Sequence, residues 1–254
     1  LIPNIRTSDA ALIPNIRTSD SALIPNNNRL WRLHNFKLCL CQEIMSYSVH
    51  VLHDGYSRME DGMMKANCTC TLVKGPNNLI VDTMTAWDKE KIISGLQSYG
   101  ITCDEINYAI GTHGHSDHLG NLNLFTNAKH VVGFTVSHRD NFFIHPFETG
   151  EAFKIDESVE VIPTPGHTSN DVSVVVKTQH LTTVIAGDLF EREEDITDPS
   201  LWKYVAGSEN AELQEKHRNK VLLLADYIIP GHGPMFKVTK GMKEAAKASS
   251  ITVK

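Results

Sequence analysis

The sequence predicts a layered α/β domain with a mixed sheet system, on three observations. Short β-branched runs recur from residue 48 onward, few polar helical stretches separate them, and several runs end on glycine-flanked histidines or aspartates. Runs of strands broken by few helices place the helices outside the sheets, and open α/β sheets collect ligands at their strand ends. Composition agrees with a soluble globular class: of 254 residues, 41% are hydrophobic and 21% charged, which excludes collagen-like, coiled-coil and wholly disordered readings. A chain of this length buries roughly 70% of its unfolded surface without needing disulfides. The best apolar run, 221–229, is short and contains Asp226, which excludes a membrane-spanning helix.

Residues 1–44 stand apart. An 11-residue unit fills 1–11, repeats at 12–22 and starts again at Leu23, too short a period for a solenoid repeat. The segment reads as a repetitive leader, disordered or non-native, with Met45 a more natural start for a domain of residues 45–254. Within that domain, runs 48–53, 68–73 and 79–82 read as strands, and Asp88 caps a helix that continues to Tyr99 and stops at Gly100. Run 106–111 is a further strand. Then follow strands 130–134, 159–163, 172–177 and 183–186, a helix over 209–224, and a last strand, 227–229.

Four of the five cysteines form two Cys-x-Cys pairs, Cys39/Cys41 and Cys68/Cys70, which does not resemble a secreted disulfide framework and points to a reducing compartment. On a strand, Cys68 and Cys70 share one face, so they read as small core side chains rather than a metal clamp. The thirteen histidines are the compositional oddity.

Thr112-His113-Gly114-His115-Ser116-Asp117-His118 is the densest cluster of metal-ligand residue types. After a strand, His113 and His115 point the same way, and a turn through Gly114 and Ser116 brings Asp117 and His118 toward the same volume. Three later strand ends repeat the design: Pro165-Gly166-His167, Ala186-Gly187-Asp188 and Pro230-Gly231-His232-Gly233. Taken singly, Asp188 is more simply a turn or cap residue. Taken together, seven nitrogen and oxygen donors with no thiolate suit two borderline divalent cations. His217, on a helix rich in charged residues, reads as solvated.

This pattern resembles the metallo-β-lactamase superfamily, whose His-x-His-x-Asp-His signature with a distant His, Asp and His is matched at all seven positions. The resemblance spans most of residues 47–238 and implies a four-layer αββα sandwich with a dinuclear site along one edge. It implies that His113, His115 and His167 bind one metal, that Asp117, His118 and His232 bind the second, and that Asp188 bridges. Zinc is the simplest identity, with iron or manganese as alternatives. By the same resemblance Asp82 supports ligands from behind. Met84 replaces a glycine common in the family, so the turn there is expected to differ. Asp117 and Asp188 are the residues to which catalysis is assigned, with Asp117 receiving or relaying a proton.

A closer likeness is to the metallo-β-lactamase domain-containing protein 1 group, in the wording of residues 111–125, 171–176, 186–192 and 225–238 as well as in the ligands. That group is associated with metal-dependent endoribonuclease activity on histone precursor transcripts, which implies an RNA substrate and a cytoplasmic or nuclear setting. Charge does not add to this, since residues 45–254 carry 19 basic against 27 acidic side chains, a net −8. An RNA reading therefore needs a local basic patch, for which Arg139 with Lys203, or Lys216, Arg218 and Lys220, are candidates.

Two metals can hold a shared hydroxide that attacks phosphorus or a thioester carbon without a protein nucleophile. No Gly-x-Ser-x-Gly elbow occurs. A glyoxalase II-like thioester hydrolase and a mono-iron persulfide dioxygenase are the alternatives, and a small ester or thioester the alternative substrate. A non-enzymatic binding module sits poorly with a complete ligand set. Substrate-facing loops are expected at 54–64, 138–150 and 195–209, and Phe142, Phe143, His145 and Phe147 read as loop packing rather than a base-stacking wall. A homodimer is the prior for oligomeric state.

Overall fold

The structure is a computed structural model that describes residues 46–252; the expected leader, Cys39 and Cys41 lie outside the described residues. A seven-stranded sheet takes the order β1 (Ser48–His53), β4 (Cys70–Lys74), β5 (Leu79–Val81), β6 (Tyr108–Gly111), β7 (Lys129–Val132), β8 (Thr135–His138) and β9 (Asn141–Phe143). A six-stranded sheet runs β10 (Phe153–Lys154), β11 (Val159–Pro163), β12 (Val172–Lys177), β13 (Thr182–Gly187), β14 (Tyr227–Pro230) and β15 (Phe236–Lys237). Strands β5, β6 and β7 are mutually parallel, as are β13 and β14, and the other neighbours in both sheets are antiparallel. The connection between β5 and β6 carries α1 (Lys89–Ser98), and the one between β13 and β14 carries α2 (Ala211–Leu224), because parallel neighbours need a crossover.

The period-2 pattern of the strands builds the layers. In β12, Val172, Val174 and Val176 join Val81, Ile110 and Val131 of the first sheet in the core between the sheets, while Val175 faces the other way. Val175, Val184 and Ile228 receive Val221 and Leu222 of α2, and Ala246 of α3 (Lys240–Thr252) joins the same cluster. On the opposite side, Leu72, Ile80 and Ala109 receive Ile92 and Leu96 of α1. The result is an αββα sandwich whose strands are apolar on both faces, each large aliphatic side chain contributing about 1.5–3 kcal/mol on burial. Cys68 and Cys70 are fully buried beside α1. Among the described residues, no helix is long and apolar enough to cross a membrane.

Several local expectations change. Residues 54–64 are not a loop: β2 (Tyr56–Glu60) and β3 (Met63–Asn67) form an antiparallel hairpin closed by Asp61 and Gly62 at φ 53° and 75°. That Asp-Gly turn is a hairpin signal, but its flanks, with Met59, Met63 and Met64 all exposed, show no apolar–polar alternation. The strand expected over 130–134 ends at Val132 in a turn at Gly133, and β8, β9, β10, β15 and α3 are additional elements. Helix α2 starts two residues late, because Asn210 is its cap and accepts from the Leu213 amide at 3.0 Å. Asp88 precedes α1, but its carboxylate is taken by Asn67 Nδ2 at 2.8 Å and by Lys91. Met84 has φ 54°, the left-handed backbone that glycine adopts without cost, and its buried side chain packs in the α1 cluster.

Candidate metal centre

The end of β6 starts the site. Thr112 follows Gly111, and Asp82, at the end of β5 with φ 59°, anchors it twice: Oδ1 accepts the Thr112 amide at 2.8 Å and Oδ2 accepts the Thr112 hydroxyl at 3.0 Å. The same Oδ2 accepts from His118 Nδ1 at 2.9 Å, so His118 Nε2 is left to face the site. His167 and His232 show the same polarity. His167 Nδ1 donates to the Gly207 carbonyl at 2.9 Å, and His232 Nδ1 donates to the Asn67 carbonyl at 3.0 Å, turning each Nε2 inward. These backbone and carboxylate partners set the ring orientations before any ion arrives.

The inward atoms form two overlapping groups. His113, His115, His167 and Asp188 each bring one donor atom within 4.8 Å of the others, and so do Asp117, His118 and His232. In the first group, His115 Nδ1 is 2.9 Å from His113 Nε2 and 3.2 Å from His167 Nε2, while Asp188 Oδ2 stands 3.5 and 3.4 Å from the latter two. Ligands held at about 2.0–2.1 Å around a tetrahedral cation are about 3.3 Å apart, so these spacings fit such a cation. In the second, Asp117 Oδ2 lies 4.0 Å from His118 Nε2 and 3.8 Å from His232 Nε2. The Asp188 carboxylate lies between them: Oδ2 is 3.2 Å from His232 Nε2, and Oδ1 is 3.2 Å from His118 Nε2.

His118 Nε2 and Asp188 Oδ1 are buried and have no hydrogen-bond partner. A buried polar atom without a partner is costly, and two lone-pair acceptors that face each other suit a cation. Electrostatics reports the same crowding. Burial opposes charge on His118, yet Asp188 and Asp82 outweigh it and hold its pKa well above the usual value, whereas burial and His118 push His113 well below. Burial works against the Asp188 carboxylate as well, but His232, His118 and His113 hold it ionised, well below the carboxylate range.

Two glycines are required for this approach. Gly187 has φ 52°, and a Cβ there would fall 2.4 Å from Thr112 Oγ1; a Cβ on Gly231 would fall 1.9 Å from Asp188 Oδ1. Behind His167, buried Asp171 accepts the Gly166 and Thr168 amides at 3.1 and 2.7 Å, and burial pushes its carboxyl up to about 7. His115 is exposed and Asp117 half-buried, so the site opens on the side of the 113–119 turn.

Thr112, Asp171, Asn67 and Glu191 belong to this neighbourhood without having been singled out. Asp171 carried a turn-type signal, four residues after His167. Glu191 carried no sign of its own chemistry, only its place in the 186–192 wording. Cys68 also lies here, with a donor atom within 4.8 Å of those of Asp82 and His118. Conversely, His217 is half-buried and bonded through Nδ1 to the Pro165 carbonyl at 2.8 Å rather than solvated. Arg218 leaves the expected basic patch. It is buried against Asp195 and lies over the rings of Phe190 and Trp202 at 4.2 and 4.8 Å, while Lys203 pairs with Glu215. Phe147 is core, as packing requires, but Phe142 and Phe143 are exposed.

The model of the metallo-beta-lactamase superfamily matches residues 65–232. The chain belongs to the metallo-β-lactamase superfamily. It is 42% identical over 198 residues to metallo-beta-lactamase domain-containing protein 1 of Xenopus laevis, covering 76% of this chain and 83% of that protein. It is 39% identical over 170 residues to the human protein of that name, covering 66% of this chain but only 61% of the human one. A putative metallo-beta-lactamase from Thermotoga maritima shares the fold, with a TM-score of 0.58 at 21% identity over 76% of this chain and 99% of that one. This metallo-β-lactamase-fold chain is a metal-dependent hydrolase with several His/Asp groupings able to bind metal ions.

Proposed function

We propose that the chain is a dinuclear hydrolase of phosphodiester bonds in single-stranded RNA. The observation that carries the dinuclear reading is the Asp188 carboxylate, which turns one oxygen to His113, His167 and His232 and the other to His118. His113, His115 and His167 would hold one cation and Asp117, His118 and His232 the other, with Asp188 shared and zinc the identity that suits the imidazole-rich donor set. When bound, the pair supplies Lewis-acid activation of water and a clamp for the attacking and leaving oxygens of an in-line displacement.

The protein's own residues hold the geometry. Asp82 and the Gly207 and Asn67 carbonyls keep His118, His167 and His232 in one tautomer, and the fixed sheet ends exclude rearrangement. Asp117, the half-buried carboxylate of the set, takes up a proton and passes it to solvent. The RNA reading rests on the likeness to the metallo-β-lactamase domain-containing protein 1 group. It is supported by two exposed aromatics on segments bonded to the site. Trp87, 91% exposed, follows Met84, whose carbonyl accepts the Gly120 amide, and Tyr204, 81% exposed, precedes Gly207, which holds His167. Exposed rings of this kind stack unpaired bases without reading sequence.

The test is cleavage of single-stranded RNA by purified, zinc-loaded protein, with His115→Ala abolishing cleavage while RNA affinity stays within about two-fold. RNA left intact alongside hydrolysis of a glutathione thioester would replace this reading by a glyoxalase II-like one. One iron per chain with oxygen consumption would replace it by persulfide dioxygenation.

A further inference from the structure

The two cation positions are not chemically alike. The first is framed by three imidazoles and Asp188, whereas the second has Asp117, His118 and His232, with Asp188 3.2 Å from both imidazoles. Glu191 adds to the second alone: it is 3% exposed, and it forms with Asp188 and His232 a group whose donor atoms lie within 4.8 Å of one another. Its backbone is pinned on both sides, the carbonyl accepting the His232 amide at 2.8 Å and the amide donating to Asp195 Oδ2 at 2.8 Å. Its carboxylate has one hydrogen-bond donor, the Ser57 hydroxyl at 3.1 Å from Oε2. A buried carboxyl beside a second buried carboxylate needs a proton or a cation to offset it, and Asp188, which shares that group with Glu191, also turns its orphaned Oδ1 to the orphaned Nε2 of His118 at 3.2 Å.

We infer that Glu191 is an additional anionic donor group of the second cation position and makes it the harder of the two. This rests on the dinuclear reading above. With Asp117, Asp188 and Glu191 around it, the second position is rich in carboxylate, and carboxylates suit Mn2+ where imidazoles suit Zn2+. Zinc still binds more tightly in absolute terms, as the general order of divalent affinities demands, but its advantage over manganese narrows at the second position relative to the first.

The test uses the full chain freed of metal by chelation. Mn2+ is titrated with loss of its free-ion paramagnetic resonance signal, and Zn2+ is titrated against a chromophoric chelator, for wild type, Glu191→Gln and Ser57→Ala. In wild type, two Mn2+ bind, and the zinc-to-manganese affinity ratio is at least about ten-fold smaller at the second position than at the first. Glu191→Gln keeps the side-chain shape and weakens the second Mn2+ by about 10–100-fold, the range for lost supporting partners. It leaves the first Mn2+ within two-fold and the second Zn2+ within about three-fold. Ser57→Ala removes only the hydrogen bond and changes neither metal by more than three-fold.

Equal ratios at the two positions in wild type, or an unchanged second Mn2+ affinity in Glu191→Gln, would overturn the inference while leaving the dinuclear reading intact. Binding of only one ion of either metal by wild type would instead remove the dinuclear reading, and this inference with it. If Glu191→Gln does not fold, Glu191→Asp, which keeps the charge but withdraws it by one methylene, replaces it, and an unchanged second Mn2+ affinity in that variant would overturn the inference equally.

Discussion

The two sheets supply the site in opposite ways. The seven-stranded sheet delivers His113, His115, Asp117 and His118 from one turn after β6, held by one carboxylate, Asp82. The six-stranded sheet delivers one side chain from each of three strand ends: His167 after β11, Asp188 after β13 and His232 after β14. Each has its own support, respectively the Gly207 carbonyl, a buried Gln214 that donates to the Asp188 carbonyl at 3.0 Å, and the Asn67 carbonyl. One half is a local motif with a single point of failure. The other is a tertiary assembly whose failures should be separable.

The largest effect is expected at Asp188, where the halves meet. Asp188→Ala should remove both ions, by elemental analysis, and lower turnover by more than the 10–100-fold of a lost supporting partner; His167→Ala should lose one ion. Equal losses at the two positions would end the distinction between shared and unshared donors.

Next is Arg218→Met. The buried Arg218–Asp195 pair sits under the 188–195 segment, and removing one member strands a buried charge, at a cost of about 3–5 kcal/mol in denaturant unfolding. The loss should appear in stability first, because no ligand in the 113–118 turn depends on it.

Asp82→Asn should weaken metal retention by about 10–100-fold across the whole 113–118 turn, since Asp82 orients Thr112 and His118 together. Asp171→Asn should affect the position that includes His167 and spare the other. Chelator competition at each position distinguishes the two patterns.

The last effect is a pH slope. Burial raises the Asp171 carboxyl to about 7, against just under 4 for an ordinary aspartate, so the folded chain holds a proton that the unfolded chain has released. More protons on the folded side means that stability falls as pH rises from about 4 to about 7 and levels off above, by at most about 1.4 kcal/mol per pH unit. In metal-free protein, Asp171→Asn should flatten this part of the stability profile relative to wild type. An unchanged profile would show that Asp171 is ionised in the folded state.

Strands 48–53, 159–163 and 172–177 were readable to the residue, because their β-branched and apolar positions are bounded by polar or turn residues; 159–163 and 172–177 are buried, and Val49 and Val51 of 48–53 pack partly buried against the core. The hairpin at β2 and β3 was not, since Met59, Met63 and Met64 are exposed and leave no alternation to read. Helix α3 was missed for a related reason: a run of lysines and small residues has helical propensity but shows its buried face only once Ala246 meets the α2 layer.

By itself, the sequence determined which side chains of the 113–118 turn travel together, because residues this close on a strand end and one turn have few ways to diverge. It also determined that glycines precede Asp188 and His232, and the structure shows why: a Cβ at Gly187 or Gly231 would occupy the volume of Thr112 or of the Asp188 carboxylate. Only the tertiary structure decided that His167, Asp188 and His232, up to 65 residues apart, converge on that turn, that Arg218 is a buried clamp rather than an RNA contact, and that Glu191 lies inside. Those facts depend on how two sheets pack face to face and which loops are closed over their common edge, and packing is set by the sum of many apolar contacts that no short run of residues records.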